Sequence, residues 1–148
     1  MPPKASRNDP YLRFNFLVEI DGIQAGFFKS VSGLDSETEV VEYRTGAMQG
    51  PSSLKLPGLH KFANITLKRG ITQDLSLWQW YKTVLDGQTD RRNGVIMLLN
   101  ESLQPVLRWR FRDGWICKWE GPDLDASANE VAIETIEIAH EGLELEGG

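Results

Sequence analysis

Apolar and polar residues alternate over residues 11–20, near the start of the chain. The apolar positions are Leu12, Phe14, Phe16, Val18 and Ile20. A period of two is typical of a strand with one buried face. The pair Asp21-Gly22 follows and favours a tight hairpin turn. We therefore predict a first strand, a turn, and a second strand that ends near Gly33.

The next segment is more polar and is predicted as an acidic strand followed by a loop. The strand covers residues 37–45, carries Glu37, Glu39 and Glu42, and has no clearly apolar face. Residues 46–60 contain three glycines and two prolines, which predicts a long loop. Alternation returns over residues 62–69 and predicts another strand.

The period then changes to that of a helix between Asp74 and Gly87. The apolar residues of one helical stripe are Leu77, Trp78, Tyr81, Val84 and Leu85. Thr72 or Asp74 can cap the first turn, and Gly87 suits the left-handed backbone that ends many helices.

Short strands follow the helix, over residues 95–99, 105–114, 115–121 and 130–140, and Asn100 to Gln104 and Asp113-Gly114 are predicted as the turns between the first three. In the last strand the apolar parity switches after Ile133, which predicts a bulge near Glu134-Thr135. The expected fold is a single domain over residues 1–148, mainly β, an antiparallel sandwich or barrel with one flanking α-helix. Residues 1–10 are polar and proline-rich, so we expect a flexible N-terminal arm.

Composition narrows the possible functions. The chain has 148 residues and a formal net charge of −5. A net acidic surface disfavours nonspecific binding to nucleic acid or to anionic membranes. The longest apolar run, from Val95 to Leu99, is far shorter than the ~20 residues that cross a bilayer. With one cysteine and no secretory signal at its start, the chain is expected to assemble in the cytoplasm, without a membrane anchor.

Residues that could carry catalysis or bind a metal are few and scattered. His60 and His140 lie far apart in the sequence, and a metal site needs several converging donors. Cys117 alternates with Trp115 and Trp119 and is better explained as a small buried hydrophobe than as a nucleophile. We therefore expect no metal, no cofactor and no enzymatic activity.

The predicted loop contains an unusual apolar run. Leu54, Leu56 and Leu59 surround the turn-forming pair Pro57-Gly58. Either these leucines belong to the core of their own chain, or another subunit covers them.

A second cluster consists of Arg108, Arg110 and Arg112, which share one face of one strand. Like charges in this arrangement repel each other. They are balanced either by glutamates on a neighbouring strand or by salt bridges between subunits.

Several motifs occur together in a fixed order along the chain. The most specific are FNFLVEIDG at Phe14–Gly22 and KLPGL…NITLKRG within Lys55–Gly70, and AGFFKSVSGL, EYRTG and the helix with Trp78, Trp80 and Tyr81 accompany them. In these motifs the chain resembles the tail tube proteins of contractile phages and, most of all, the inner tube subunits of phage-derived contractile injection systems. The resemblance extends from Asp9 to about Leu143.

This resemblance implies that six copies form a ring and that rings stack head to tail into a hollow tube. The tube would lie inside a contractile sheath, which drives it through a target envelope, and it would conduct cargo or DNA. The implied partners are further copies of the chain, a sheath protein, baseplate or tube-initiator proteins, terminator proteins, a tape-measure protein and the cargo in the lumen. Sequence-specific nucleic-acid binding is not expected.

The resemblance also assigns roles to the clusters above. The ring-stacking loop would consist of Met48, Leu54, Lys55, Leu56, Pro57, Gly58 and Leu59. Glu37, Glu39 and Glu42 would line the lumen, and Arg108, Arg110 and Arg112 would form a charge ladder between subunits. Two alternatives remain open at this stage: a baseplate-proximal paralogue that initiates the tube, and a small-ligand-binding β-barrel, which would need an apolar internal cavity.

Overall fold

The computed structural model describes residues 15–44, 46, 53–127 and 131–147. Within these ranges the chain forms ten strands and one helix. They are β1 (Asn15–Ile20), β2 (Ile23–Phe28), β3 (Ser30–Ser32), β4 (Ser36–Tyr43), β5 (Leu54–Phe62), β6 (Ile65–Gly70), α1 (Ser76–Leu85), β7 (Arg92–Leu99), β8 (Pro105–Glu120), β9 (Ile133–Ala139) and β10 (Gly142–Gly147). The predicted N-terminal arm, residues 1–10, lies outside the described residues.

Eight strands form one antiparallel system in the order β2-β1-β7-β8-β9-β6-β3, with β10 paired to β8. The 16-residue strand β8 connects its two halves, so the turn predicted at Asp113-Gly114 is wrong. Residues 107–112 of β8 lie between β7 and β10, whereas residues 115–120 pair with β9. The predicted antiparallel, mainly β fold is thus confirmed as a sandwich. The path of paired strands ends at β2 and β3, so the barrel form of that prediction does not apply.

Alternate positions of the strands supply the core between the two halves. Val18 and Ile20 of β1 are buried as predicted, and Phe16 packs against them. The core also contains Ile65, Leu67, Ile96, Phe111, Ile116, Ile136 and Ile138. The hairpin turn at Asp21-Gly22 is confirmed, and Gly22 has a positive φ of 78°. Residues 11–14 of the predicted first strand are outside the described residues.

The helix is confirmed, although its buried face differs from the predicted stripe. Leu77 is buried and Tyr81 packs on the core, but Leu85 is exposed. The residue that the stripe missed is Trp80, which is buried and donates a hydrogen bond from Nε1 to the backbone oxygen of Asp90, at 2.6 Å. This bond explains how an indole N–H tolerates burial.

Before the helix, the Asp74 carboxylate accepts hydrogen bonds from the backbone N–H and the hydroxyl of Ser76. These bonds lower the pKa of Asp74, because they stabilise its charged form. The residue at the cap position itself is Leu75, whose side chain makes no capping bond. After the helix, Gly87 adopts a positive φ of 78°, as predicted.

The long loop predicted over residues 46–60 is wrong in its second half. Residues 54–62 form β5, which pairs with β4 despite containing Pro57. Proline is tolerated in a strand whose outer edge is free, because the missing N–H then breaks no ladder bond. The next strand begins at Ile65 rather than Phe62. Residues 47–52, including Met48, lie outside the described residues.

The bulge predicted near Glu134-Thr135 is also wrong. Strand β9 pairs with β6 without a register shift, and Glu134 lies on its buried face with Ile136 and Ile138. The change in apolar parity along the sequence is therefore caused by a buried charged residue, Glu134, and not by an extra residue in the strand. A register shift does occur on the other side of β9, where Cys117 is the unpaired residue of β8.

The buried carboxylate of Glu134 is neutralised by Arg69. The Nε atom of Arg69 lies 2.7 Å from Oε2 of Glu134, and the two side chains are only 7% and 10% exposed. The guanidinium also lies 5.5 Å from the ring centroid of Phe28. The pair therefore links β6, β9 and β2 within the core.

Removing one partner of this pair should be far more costly than breaking an exposed pair. We expect Arg69→Met to lower the free energy of unfolding by about 3–5 kcal/mol, because it leaves a buried carboxylate unpaired. The double variant with Glu134→Leu should recover most of this loss. Urea unfolding measures both. Arg110→Met, which breaks the exposed Arg110–Glu146 pair, is the control and should change stability little; equal losses from Arg69→Met and Arg110→Met would contradict the prediction.

Candidate assembly surfaces

Strands β4 and β5 form an exposed ribbon, the β4–β5 ribbon, which we define as residues 36–43 and 54–62. Its two strands pair antiparallel and form a sheet separate from the eight-stranded one. Every residue of β4 is exposed, and on β5 only Gly58 and Phe62 are partly buried. Both faces of the ribbon are therefore open to solvent in the isolated chain.

The register of the ribbon changes at one point. Residues of β4 and β5 pair one to one on either side of an irregularity between Thr38 and Val40. There, Gly58 and Leu59 together lie opposite Glu39, which makes a β-bulge. Because side chains alternate along a strand, the extra residue brings Leu59 onto the face that the two preceding leucines of β5 occupy.

Five large side chains share this face, which we call the ribbon apolar face. They are Val41, Tyr43, Leu54, Leu56 and Leu59, and they are 44%, 51%, 51%, 41% and 72% exposed. Val41 lies directly opposite Leu56, and Tyr43 directly opposite Leu54. The possibility that the leucines belong to the core of their own chain is therefore wrong.

Gly58 allows the two strands to approach each other at the bulge. A Cβ atom at this position would lie 2.9 Å from Cγ2 of Val41 and 3.2 Å from the backbone oxygen of Glu39. Both distances are shorter than ordinary van der Waals contact. Any side chain here would push β4 and β5 apart at the point that sets their register.

The charged residues of the ribbon are distributed over both faces. Glu42 lies opposite Lys55 on the face away from the ribbon apolar face. Glu37 lies opposite Lys61 on the same face as the ribbon apolar face. Cross-strand pairs of opposite charge are favourable, so each lysine offsets part of the acidic character of β4. The three glutamates predicted to line a lumen are all exposed, but they do not share one face.

The arginines of β8 face the glutamates of β10. Glu144 lies opposite Arg110, and Glu146 lies opposite Arg108. Nε of Arg110 donates to Oε2 of Glu146 at 2.9 Å, and this bond raises the pKa of Arg110. Two explanations were considered for the three arginines: pairing with glutamates of the same chain and salt bridges between subunits. The first explanation applies to Arg110.

Strand β10 is not among the predicted strands, although Leu143 and Leu145 alternate there with the two glutamates. Its partner is β8, and in the described part of the chain no further strand pairs with its outer edge. The outer edges of β2 and β3 are open in the same way. These edges and the ribbon are the surfaces on which another chain could add.

A cleft of about 780 Å³ crosses one half of the sandwich. Charged residues line much of it, including Glu19, Asp21, Arg110, Arg112 and Glu144. The space between the sheets is filled by core side chains such as Phe111. A ligand-binding barrel would instead need an apolar cavity in that space.

The residues considered for catalysis or metal binding remain apart. Among the described residues, no group of three or more His, Cys, Asp and Glu side chains is placed to hold a metal ion. Burial and the nearby Glu137 carboxylate raise the pKa of the Cys117 thiol, which disfavours the nucleophilic thiolate. The described part of the chain also contains no helix with the length and apolar character needed to span a membrane.

The sequence matches one protein family. The family is described as the T4-like virus tail tube protein gp19 family, and the match covers residues 12–144. Among curated proteins, none shows significant sequence similarity to the chain.

Solved structures show the same fold. A chain of the cryo-EM structure of the anti-feeding prophage (AFP) baseplate is 29% identical, with 96% of this chain and 97% of that chain covered and a TM-score of 0.74. A chain of the extended sheath–tube complex of an extracellular contractile injection system, PVC, is 25% identical, with 98% and 96% covered and a TM-score of 0.76. Hcp1 from Flavobacterium johnsoniae shares the fold at 15% identity, with 90% and 96% covered and a TM-score of 0.56.

The register of the ribbon should depend on Gly58. We expect Gly58→Ala to disrupt pairing between Val41 and Leu56, because its Cβ has no space at the bulge. Loss of the cross-strand nuclear Overhauser effects between these two residues would report the change, while signals of the sandwich stay in place. Gly121→Ala is the control, since a Cβ there meets nothing within 4 Å. Unchanged effects in Gly58→Ala would contradict the proposed role of the bulge.

Proposed function

Since the chain belongs to the T4-like virus tail tube protein family, and is thus a tube subunit of a phage tail or tail-like particle, we propose how its copies assemble. Six copies form a ring, and rings stack head to tail into a hollow inner tube. A contractile sheath surrounds the tube and drives it through a target envelope. The tube conducts cargo or DNA.

The ribbon apolar face is the observation that carries this proposal. A two-stranded ribbon is marginally stable by itself in water, and this one exposes five large apolar side chains. Complete burial of one such side chain contributes about 1.5–3 kcal/mol. A second copy that covers the face would stabilise both the ribbon and the assembly.

The geometry of such contacts determines the shape of the product. A ribbon that reaches onto a different surface of the next copy makes a head-to-tail contact, and every copy then both offers and receives a ribbon. Repeated contacts of this type close into a ring or continue as a filament, depending on the rotation. A stacked tube needs two such contacts, one that closes the ring and one that continues from ring to ring.

The open edges of β2, β3 and β10 support ring closure. An uncovered edge presents unpaired backbone N–H and C=O groups, which invite another strand. We propose that neighbouring copies pair along these edges, so that their sheets join around the lumen. Ring formation would then satisfy backbone groups that the single chain leaves to water.

Some of the candidate lumen and charge-ladder residues suit this arrangement better than others. Glu42 lies opposite the ribbon apolar face and stays accessible when that face is covered, so it is the best candidate of the three glutamates for the lumen. Glu37 and Glu39 would lie nearer the contact. In the ladder, Arg108 is proposed to reach across subunits, since Arg110 already binds Glu146 and Arg112 lies 3.8 Å from the Asp113 carboxylate.

The proposed partners are the other components of such a particle. Similar chains occur in structures of a sheath–tube complex, a tube-terminating cap, a sheath/tube terminator and a baseplate. We propose a sheath protein, terminator, baseplate or initiator proteins, a tape-measure protein and lumen cargo as partners here. We also propose that assembly takes place in the cytoplasm and that the subunit has a mechanical rather than an enzymatic role.

A tube-initiating paralogue near the baseplate is the second candidate, because a chain of a baseplate structure is 29% identical. A main tube protein would occur in many copies in an isolated particle, whereas an initiator would occur in about one ring. Quantitative mass spectrometry of purified particles distinguishes the two.

An acidic side chain on the ribbon apolar face should block stacking without unfolding the chain. We expect Leu56→Asp or Leu59→Asp to leave the circular dichroism spectrum unchanged and to abolish tubes in negative-stain electron microscopy. The reason is that a contact would bury an unpaired carboxylate, which costs several kcal/mol.

Leu124→Asp provides the matched control. Leu124 is 77% exposed and Leu59 is 72% exposed, but Leu124 lies outside the ribbon. This variant should assemble as the parent chain does. Normal tubes from both ribbon variants would refute the stacking role of the ribbon.

A further inference from the structure

The ribbon joins the sandwich through a short root, which we define as residues 33–35 and 63–64. The two root segments contact each other closely: the backbone N–H of Ala63 donates to the oxygen of Asp35 at 3.3 Å. Gly33 has a φ of +84°, and a Cβ there would lie 1.9 Å from the backbone oxygen of Asn64. The direction in which the ribbon leaves the sandwich is therefore set within a few residues.

His140 lies against this root, in the connection between β9 and β10. Its Nε2 atom is 3.0 Å from the backbone oxygen of Ala63 in the root. Its Nδ1 atom is 3.1 Å from the backbone oxygen of Gly142, at the start of β10. One side chain thus bridges the root of the ribbon and the sandwich.

The ring of His140 also packs between two phenylalanines. Its centroid lies 5.7 Å from that of Phe62, the last residue of the ribbon, and 6.1 Å from that of Phe111. Phe111 is one of the most deeply buried residues of the core. The ring therefore continues the packed core of the sandwich out to the base of the ribbon.

Both polar neighbours of His140 are carbonyl oxygens, which only accept hydrogen bonds. A neutral imidazole carries one N–H and can donate to one of them at a time, and its Nε2–H tautomer donates to Ala63. An imidazolium donates to both. In either form a bond to Ala63 is available, and it ties the root to β10 through the ring.

We propose that His140 is a positioning residue that fixes the direction of the ribbon relative to the sandwich. This proposal rests on the proposed function, in which the ribbon apolar face meets another copy. A ribbon held at one angle presents that face ready for contact. A ribbon that swings freely would lose orientational freedom at each contact, which weakens association.

A set of three substitutions separates the hydrogen bond from the ring packing. His140→Phe keeps an aromatic ring next to Phe62 and Phe111 but has no donor. His140→Gln places an amide N–H near the position of Nε2, and His140→Asn places one near Nδ1. If the bond to Ala63 holds the ribbon, only the Gln variant should retain its direction.

The direction is measured as a distance between two spin labels in unassembled protein isolated by size exclusion. The labels are attached at Lys55→Cys in the ribbon and Glu101→Cys in the β7–β8 turn, in a Cys117→Ser background. We expect a narrow distance distribution for the parent and His140→Gln, and a broad one for His140→Phe and His140→Asn. Circular dichroism melting verifies that each variant is folded.

Assembly of the same variants, without labels, completes the test. We expect the protein concentration needed for rings or tubes to rise about threefold to tenfold in His140→Phe and His140→Asn, the effect of losing about one hydrogen bond per copy. His140→Gln should assemble near the parent concentration.

Each result that contradicts the proposal contradicts a different step of it. An unchanged distance distribution in His140→Phe overturns the positioning role, whatever happens to assembly. A broadened distribution with unchanged assembly overturns the link between ribbon direction and association. If Leu56→Asp and Leu59→Asp also assemble normally in that case, the proposed function of the ribbon fails as well.

Discussion

The sandwich depends on one long strand that belongs to both of its halves. Strand β8 pairs with β7 and β10 over its first part and with β9 over its last part. A regular strand of this length would keep one side chain parity and one direction throughout. The register shifts between the two parts, where Arg112 and Asp113 of β8 both lie opposite Asn93 and Asp113 has a positive φ of 53°. This extra residue changes the side-chain parity, so that Phe111 before it and Ile116 after it both belong to the common core.

Much of this architecture could be predicted from local sequence signals. The alternation around Val18, the turn at Asp21-Gly22 and the exit of the helix at Gly87 are each specified by a few neighbouring residues, and all are confirmed. Some errors come from long-range interactions. The parity of β9 was misinterpreted because Glu134 is buried against Arg69, a partner 65 positions away in the sequence. The omission of Trp80 is a local error, because Leu77, Trp80 and Tyr81 follow the helical spacing i, i+3, i+4, whereas the predicted stripe took Trp78.

The candidate assembly surface was predicted in part. The apolar residues from Leu54 to Leu59 could be identified as unusual from the sequence alone. Their conformation could not, because Pro57 and Gly58 are typical of turns, and only the pairing with β4 makes this segment a strand. The grouping of Leu59 with Leu54 and Leu56 depends on the bulge, which no local pattern indicates. Strand β10 was not predicted because only two apolar residues, Leu143 and Leu145, alternate there with glutamates, and its pairing with β8 is long-range.

The bulge at Gly58 has a consequence for how the ribbon can change during evolution. Between the bulge and the tip of the ribbon, side chains alternate between the two faces. The face of each one therefore depends on whether it lies an odd or an even number of residues from Gly58. Insertion or deletion of a single residue in one strand would transfer the outer apolar residues to the opposite face. Changes of two residues in a strand, matched in its partner, would preserve the pattern. Ribbons of different length in related subunits are therefore expected to differ by even numbers of residues per strand, so that reach can vary between particles while the contacting face stays the same.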